Sequence, residues 1–358
     1  MGKLEKIDKN FKVQSSIPKE GLTFYDIKQE PFSVHGLIRE EDAFVRMPTE
    51  VARAVNEGVA WLYRHTAGGR VRFVTDSPYV AIKSIQPKAE IPALTPLPGK
   101  SGFDLYVGYG ENMTYRCTFR PDAEERAGFE AYVDFPSHAE KRLITINFPL
   151  YNGVDELYIG VKEGSLLEKA PDYTIKTPFV YYGSSITQGA AASRPGNEYQ
   201  GFLSRRFDAD FINLGFSGSA RGEDLMAEYI ANLDMSLFVY DYDYNAPSAE
   251  HLEATHERMF LTVREKHPDI PIIILSRPNY KVPDDDARCR VIKKTYENAV
   301  ARGDDNVYYV SGKELMALCG AEGTIDNIHP NDLGFFSMAQ TLTPVIEKII
   351  AEGKLKFN

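Results

Sequence analysis

From residue 178 onward, short apolar runs of strand character alternate with longer segments of helix-forming residues. Residues 179–182, 209–214, 237–242, 270–275 and 307–310 are the strand-like runs. Between and after them, 197–207, 223–231, 287–301 and 333–351 read as helices, the last closed by Gly353. A further helix opens near Ser248, a good N-cap residue, with Leu252, Met259, Phe260 and Val263 on one face. Alternation of this kind builds an α/β domain with a mostly parallel sheet, covered by helices on both faces. Such sheets place their ligands at the carboxyl ends of the strands, so chemistry is expected on the loops that follow them.

Upstream, from Leu22 to about Val161, the pattern changes to short strands and turns. Residues 59–65 and 70–74 flank Thr66-Ala67-Gly68-Gly69, which predicts a hairpin. Residues 80–85, 114–119, 129–135, 142–148 and 156–161 add further strands, a spacing that predicts an antiparallel β-sandwich of jelly-roll type. At 358 residues the chain exceeds one typical core, and a division into 1–172 and 173–358 follows. The connection at 164–177 is short and holds the apolar Leu166, Leu167 and Tyr173, so the two domains are expected to pack closely.

The run Pro178-Phe179-Val180-Tyr181-Tyr182 breaks at Gly183 and delivers Ser184 and Ser185 into a turn, a place for a nucleophile. The G-x-S-x-G elbow is absent, because position 187 is threonine and the next glycine is Gly189. A serine hydroxyl needs a base within about 3 Å and a carboxylate to orient that base. Asp326 and His329 supply both types three positions apart, a spacing that lets the carboxylate reach the ring in a helical or turn-like segment.

Four separate blocks resemble those of the SGNH (GDSL-type) hydrolases, and they occur in that family's order. They are Gly183-Ser184-Ser185-Ile186-Thr187-Gln188-Gly189, Asn213-Leu214-Gly215-Phe216-Ser217-Gly218, Asp243-Tyr244-Asn245 and Asp326-Asn327-Ile328-His329-Pro330. The resemblance implies Ser185 as nucleophile, with Ser184 standing where the family carries aspartate, and Asp326 and His329 as its partners. It also implies an oxyanion hole made by the Ser185 N–H, the Gly218 N–H and the Asn245 amide. Gly218 suits that role because the missing Cβ lets substrate approach the backbone. Gly102-Phe103-Asp104-Leu105-Tyr106 resembles the G-x-D-L-Y signature of an N-terminal domain fused to some esterases of this family. The implied function is a serine esterase that removes a short acyl group, acetyl foremost, from a carbohydrate or similarly polar ester, without a cofactor. Two alternatives stand beside it: an acyltransferase using the same acyl-enzyme, and a non-catalytic carbohydrate-binding protein on a hydrolase scaffold. The intact serine, aspartate, histidine and asparagine argue against the second.

Other conspicuous residues give weaker expectations. A net charge of -10, from 51 acidic and 41 basic residues, argues against nucleic acid, anionic membrane and polyanionic substrates as partners. Cys117, Cys289 and Cys319 are far apart and read as free thiols. His251 and His256, five apart, cannot share a helix face as a metal pair and read as solvated surface; His35, His65, His138 and His267 lack ligand-spaced partners, so no metal site is expected. Tyr240, Tyr242 and Tyr244 recur at period two, either lining a sugar cleft, with Tyr244 touching substrate, or packing one side of a strand. Arg194 follows the nucleophile segment closely enough to contact substrate, or it stays in solvent on a turn. The charged start Met1-Gly2-Lys3-Leu4-Glu5-Lys6 has no apolar signal region, and a cytoplasmic protein is the expectation.

Overall fold

The computed structural model describes residues 15–40, 42–88, 94–122, 127–136, 140–283 and 286–357. The N-terminal residues read for targeting, and His138, lie outside them. The carboxyl half is built on a five-stranded sheet in the order Ala209–Gly215, Ile175–Gly183, Leu237–Asp241, Ile272–Leu275, Val307–Val310, with every neighbouring pair parallel. The strand order reverses at Ile175–Gly183, between the first and third strands of this sheet, and a crevice opens at such a switch point. Two apolar layers cover the sheet. One holds Val180, Phe238 and Ile274; the other holds Tyr181, Val239, Ile273 and Phe335 from the long helix Asp332–Ala351.

The amino half contains two antiparallel sheets packed face to face. One runs Leu22–Asp26, Glu156–Lys162, Tyr79–Ile85, Phe129–Asp134; the other runs Leu167–Lys169, Arg70–Thr75, Arg142–Asn147, Phe103–Val107, Thr114–Phe119, with Ser33–His35 also pairing to Arg70–Thr75. Val71, Phe73, Phe103, Leu105, Ile144 and Ile146 fill the space between them. Side chains alternate faces along a strand, so the residues between these apolar ones, Arg70, Arg72, Asp104 and Tyr106, point away from the sandwich core. That second face is buried against the carboxyl half. Arg70 pairs with Asp210 and donates to Phe211 O at 3.1 and 3.2 Å, while the Arg72 guanidinium lies 3.8 Å from the centre of the Tyr173 ring.

One expectation about secondary structure is corrected. The predicted hairpin strand at 59–65 is instead a helix, Glu57–Leu62, capped by the Asn56 side chain, which accepts the Val59 N–H at 2.8 Å. Val59, Leu62 and Tyr63 sit at i, i+3 and i+4 and enter the same apolar layer as Val180 and Phe238, so the helical period decides over β-propensity. Within the connection at 164–177, Leu167–Lys169 forms an edge strand on Arg70–Thr75. His256 is not solvated surface: it is 1% exposed, stacks on Tyr240 with ring centres 4.7 Å apart, and bonds Thr295 Oγ1 through Nδ1 at 2.8 Å. Among the described residues no helix is long and apolar enough to cross a membrane, and no cluster of histidine, cysteine, aspartate or glutamate is arranged to hold a metal.

Candidate active site

The strand Ile175–Gly183 is buried over its last five residues and stops where Ser184 becomes the N-cap of the four-residue helix Ser185–Gln188. Ser184 Oγ accepts the Ile186 N–H at 3.2 Å, and its own N–H donates to Asp241 O at 3.3 Å. A serine thus performs the local hydrogen bonding at the position where the resemblance expected aspartate, and Ser185 is left as the first residue of the helix. The Tyr151 hydroxyl, from the amino half, donates to Ser185 O at 3.2 Å. Beneath the helix, Thr187 Oγ1 donates to Asp241 Oδ1 at 2.9 Å. Burial pushes the Asp241 carboxyl up to about 7, against the pull of the Thr187 hydrogen bond.

Ser185 Oγ lies 2.9 Å from His329 Nε2, and His329 Nδ1 lies 2.7 Å from Asp326 Oδ2. The turn holding this pair is tied by the same carboxylate, whose Oδ1 accepts the Ile328 N–H at 3.0 Å and the His329 N–H at 2.7 Å. Asn327, between them, takes the left-handed conformation at φ 68°, which asparagine tolerates. Partial burial works against the Asp326 charge, but the hydrogen bonds from the His329 backbone, its ring and the Ile328 backbone hold the carboxyl below its ordinary value. An ionised carboxylate on Nδ1 fixes the tautomer that leaves Nε2 free to accept from a serine hydroxyl.

The three expected oxyanion donors follow three adjacent strands, Ile175–Gly183, Ala209–Gly215 and Leu237–Asp241. Ser185 N–H and Gly218 N–H have no acceptor among the described residues. Gly218 has φ +71°, and a Cβ built there would meet nothing within 4 Å, so the space beside its Cα is open. Asn245 ends the single turn Asp243–Asn245; its Oδ1 accepts the Ala220 N–H at 3.4 Å, which leaves Nδ2 without a partner among the described residues. Arg288 holds that turn by donating to Asp243 O at 2.7 Å and Ala246 O at 2.9 Å.

Arg194 is directed elsewhere. Its guanidinium donates to Asp104 Oδ2 at 2.6 Å and to the Tyr106 hydroxyl, and it lies 4.0 Å from the centre of the Tyr115 ring. Asp104 also accepts Gly196 N–H at 2.9 Å and Asn147 Nδ2 at 2.8 Å. The Gly102–Tyr106 signature is therefore a latch: Phe103 and Leu105 anchor it in the sandwich, and Asp104 and Tyr106 hold the loop after the nucleophile helix. Tyr244 is half-buried, its hydroxyl donating to Pro278 O at 3.4 Å and accepting from Asn279 Nδ2 at 3.3 Å. Tyr240 and Tyr242 are fully buried and pack one side of the sheet, so the cleft reading does not apply to them.

The residues not foreseen from sequence are those that brace the oxyanion loop. Arg46, 2% exposed, donates to Gly215 O, to Asn213 O at 3.3 Å and to Leu62 O at 2.7 Å, with its guanidinium 4.4 Å from the centre of the Phe216 ring. Its only sequence signal is a charge inside the apolar run Ala43-Phe44-Val45-Arg46-Met47. Gln188 Oε1 accepts the Ser217 N–H at 3.0 Å, and its Nε2 donates to Leu150 O at 3.1 Å and to His65 Nδ1 at 3.2 Å. Burial, seconded by the Arg46 charge, pushes the His65 ring down to about 3, so it stays neutral and accepts that hydrogen bond.

A hydroxyl paired to an oriented imidazole, with unpartnered N–H groups after the neighbouring strands at the switch point of an α/β sheet, is the arrangement of a serine hydrolase acting on acyl groups. Residues 176–347 match the GDSL-like lipase/acylhydrolase family, and residues 22–167 match the N-terminus of SGNH-hydrolase-type esterases. The chain belongs to the SGNH (GDSL-type) hydrolases, in the branch with an N-terminal GxDLY domain, and is a carboxylic ester hydrolase. Among solved structures it is similar to a protein described as a GDSL-like lipase from Bacteroides ovatus, at 29% identity over 94% of this chain and 99% of the other, with a TM-score of 0.81. A salicylyl-acyltransferase from a tetracycline biosynthetic pathway shares the fold at 21% identity, covering 95% of this chain and 100% of its own, with a TM-score of 0.74. So does a family two carbohydrate esterase from Clostridium thermocellum, solved with cellohexaose, at 13% identity over 89% of this chain and 99% of its own, with a TM-score of 0.63. No curated protein matches the chain significantly in sequence.

Proposed function

We propose that the chain is a serine esterase that removes short acyl groups, acetyl foremost, from oxygen esters of carbohydrates or similarly polar alcohols. The observation that carries this reading is the relay Asp326–His329–Ser185, with contacts of 2.7 and 2.9 Å. In the reaction, Ser185 Oγ attacks the ester carbonyl as His329 Nε2 takes its proton. The carbonyl oxygen becomes an oxyanion within reach of Ser185 N–H, Gly218 N–H and Asn245 Nδ2. His329 then protonates the departing alkoxide, leaving an acyl-enzyme on Ser185. Water, deprotonated by His329, attacks that ester, and collapse of the second tetrahedral intermediate returns the proton to Ser185.

The support for a polar alcohol is the fold shared with an esterase solved with an oligosaccharide. The second reading, acyl transfer to an alcohol other than water, draws on the acyltransferase of similar architecture. The test is product analysis with an acetylated glucoside, in the presence and absence of a second sugar alcohol. Acetate alone in both cases supports the esterase; acetylated acceptor in preference to acetate supports the transferase; neither product from the wild type, or equal acetate release by Ser185→Ala, overturns both.

A further inference from the structure

We propose that Trp61, carried by the amino half of the chain, is a specificity-determining residue whose indole forms the platform for the sugar ring of the substrate. The proposal rests on the esterase reading above. Trp61 is the chain's single tryptophan, and it is 50% exposed. A lone exposed apolar side chain needs no explanation by itself; its position does.

The helix Glu57–Leu62 that carries it sits directly on the oxyanion loop. Asn56 Nδ2 donates to Ser219 O at 3.0 Å, and Gly58 approaches so closely that a Cβ there would lie 1.9 Å from Ser219 Oγ. Trp61, three residues after Gly58, lies on the same face of that helix. Its indole packs edge-on against His65, with ring centres 5.0 Å apart at 72°, and His65 is hydrogen-bonded to Gln188 at 3.2 Å. Gln188 in turn holds the Ser217 N–H at 3.0 Å. The indole thus connects to Ser217 through His65 and Gln188, while the helix that carries it meets Ser219 through Asn56 and Gly58, so both links end on the residues flanking Gly218.

An indole offers a broad rigid apolar face and one N–H donor, and little entropy is lost in holding it still. A pyranose ring is its complement, with C–H groups on its faces and hydroxyls around its rim. A ring stacked on Trp61 would hold one of its ester groups at Ser185, so the amino half would select the alcohol while the carboxyl half performs the chemistry.

The single tryptophan makes the test direct. In Ser185→Ala, which binds without turnover, intrinsic fluorescence should change saturably with an acetylated glucoside and not with ethyl acetate at equal concentration. In catalysis, Trp61→Ala should lower the ratio of kcat/KM for the acetylated glucoside to that for ethyl acetate by about tenfold, mostly through KM, as expected for loss of one aromatic stacking contact. Trp61→Phe should recover most of that ratio. Emission unmoved across the range where the wild type saturates with the glucoside, or a Trp61→Ala ratio equal to wild type, overturns the platform while leaving the esterase intact. A wild type that hydrolyses neither ester overturns the esterase reading, and the platform with it.

Discussion

Replacing Arg194 by methionine separates a latch from a substrate contact. The Asp104 side chain is fully buried, and among the described residues Arg194 is its only charged partner, at 2.6 Å. Breaking a buried pair by removing one member costs about 3–5 kcal/mol. Here Gly196 N–H at 2.9 Å and Asn147 Nδ2 at 2.8 Å remain on the carboxylate, which places the cost near the lower end, about 3 kcal/mol. At roughly 2–4 °C per kcal/mol for a unit of this size, Tm should fall by about 6–12 °C. Adding Asp104→Asn removes the stranded charge, so the double variant should be more stable than the sum of the single losses by about 1–2 kcal/mol. Differential scanning calorimetry and urea melts of the four proteins measure the cycle. An Arg194→Met protein that melts with the wild type and has a raised KM would show that Arg194 holds substrate, and a coupling below about 0.5 kcal/mol would remove the latch.

Asn245→Ala should lower kcat about 100- to 1000-fold with little change in KM, the usual loss for one oxyanion donor; a change confined to KM would place Asn245 in ground-state binding. Ser184→Ala should keep substantial activity and lose about 1 kcal/mol of stability as an N-cap, read from its urea midpoint; loss of all activity would mean that Ser184 takes part in the chemistry. Asp241 has a folded-state value of about 7, above that of the unfolded chain, so its contribution is fully present below the unfolded value and is lost as pH rises towards 7. Asp241→Asn should therefore gain on the wild type by at most about 3 kcal/mol between pH 5 and pH 7, measured by urea unfolding at each pH, and a gap independent of pH would contradict the shift.

The parts of the fold legible in sequence are those whose signal is local. The strand-helix alternation of the carboxyl half and the period-two strands of the amino half each bury one periodic face. The four motif blocks are legible because each is one loop at the end of one strand. Helix Glu57–Leu62 was hidden because a short apolar run containing valine, tryptophan and tyrosine has β-propensity. Its Asn56 cap was the one contrary sign. Arg194 and Asp104 lie 90 positions apart, and nothing local to either shows that they meet. Arg46 braces Gly215 from 169 positions upstream, again beyond any window of sequence. His256 reads as polar in one dimension and is buried because Thr295 bonds its Nδ1 and the Tyr240 ring covers its face.

The central claim, that Ser185 is the nucleophile activated by His329, is tested most directly by treating the protein with a fluorophosphonate and mapping the adduct by peptide mass spectrometry. The expected result is a single adduct on Ser185, present in Ser184→Ala and absent in both Ser185→Ala and His329→Ala. An adduct on Ser184, or undiminished labelling of Ser185 without His329, would contradict it.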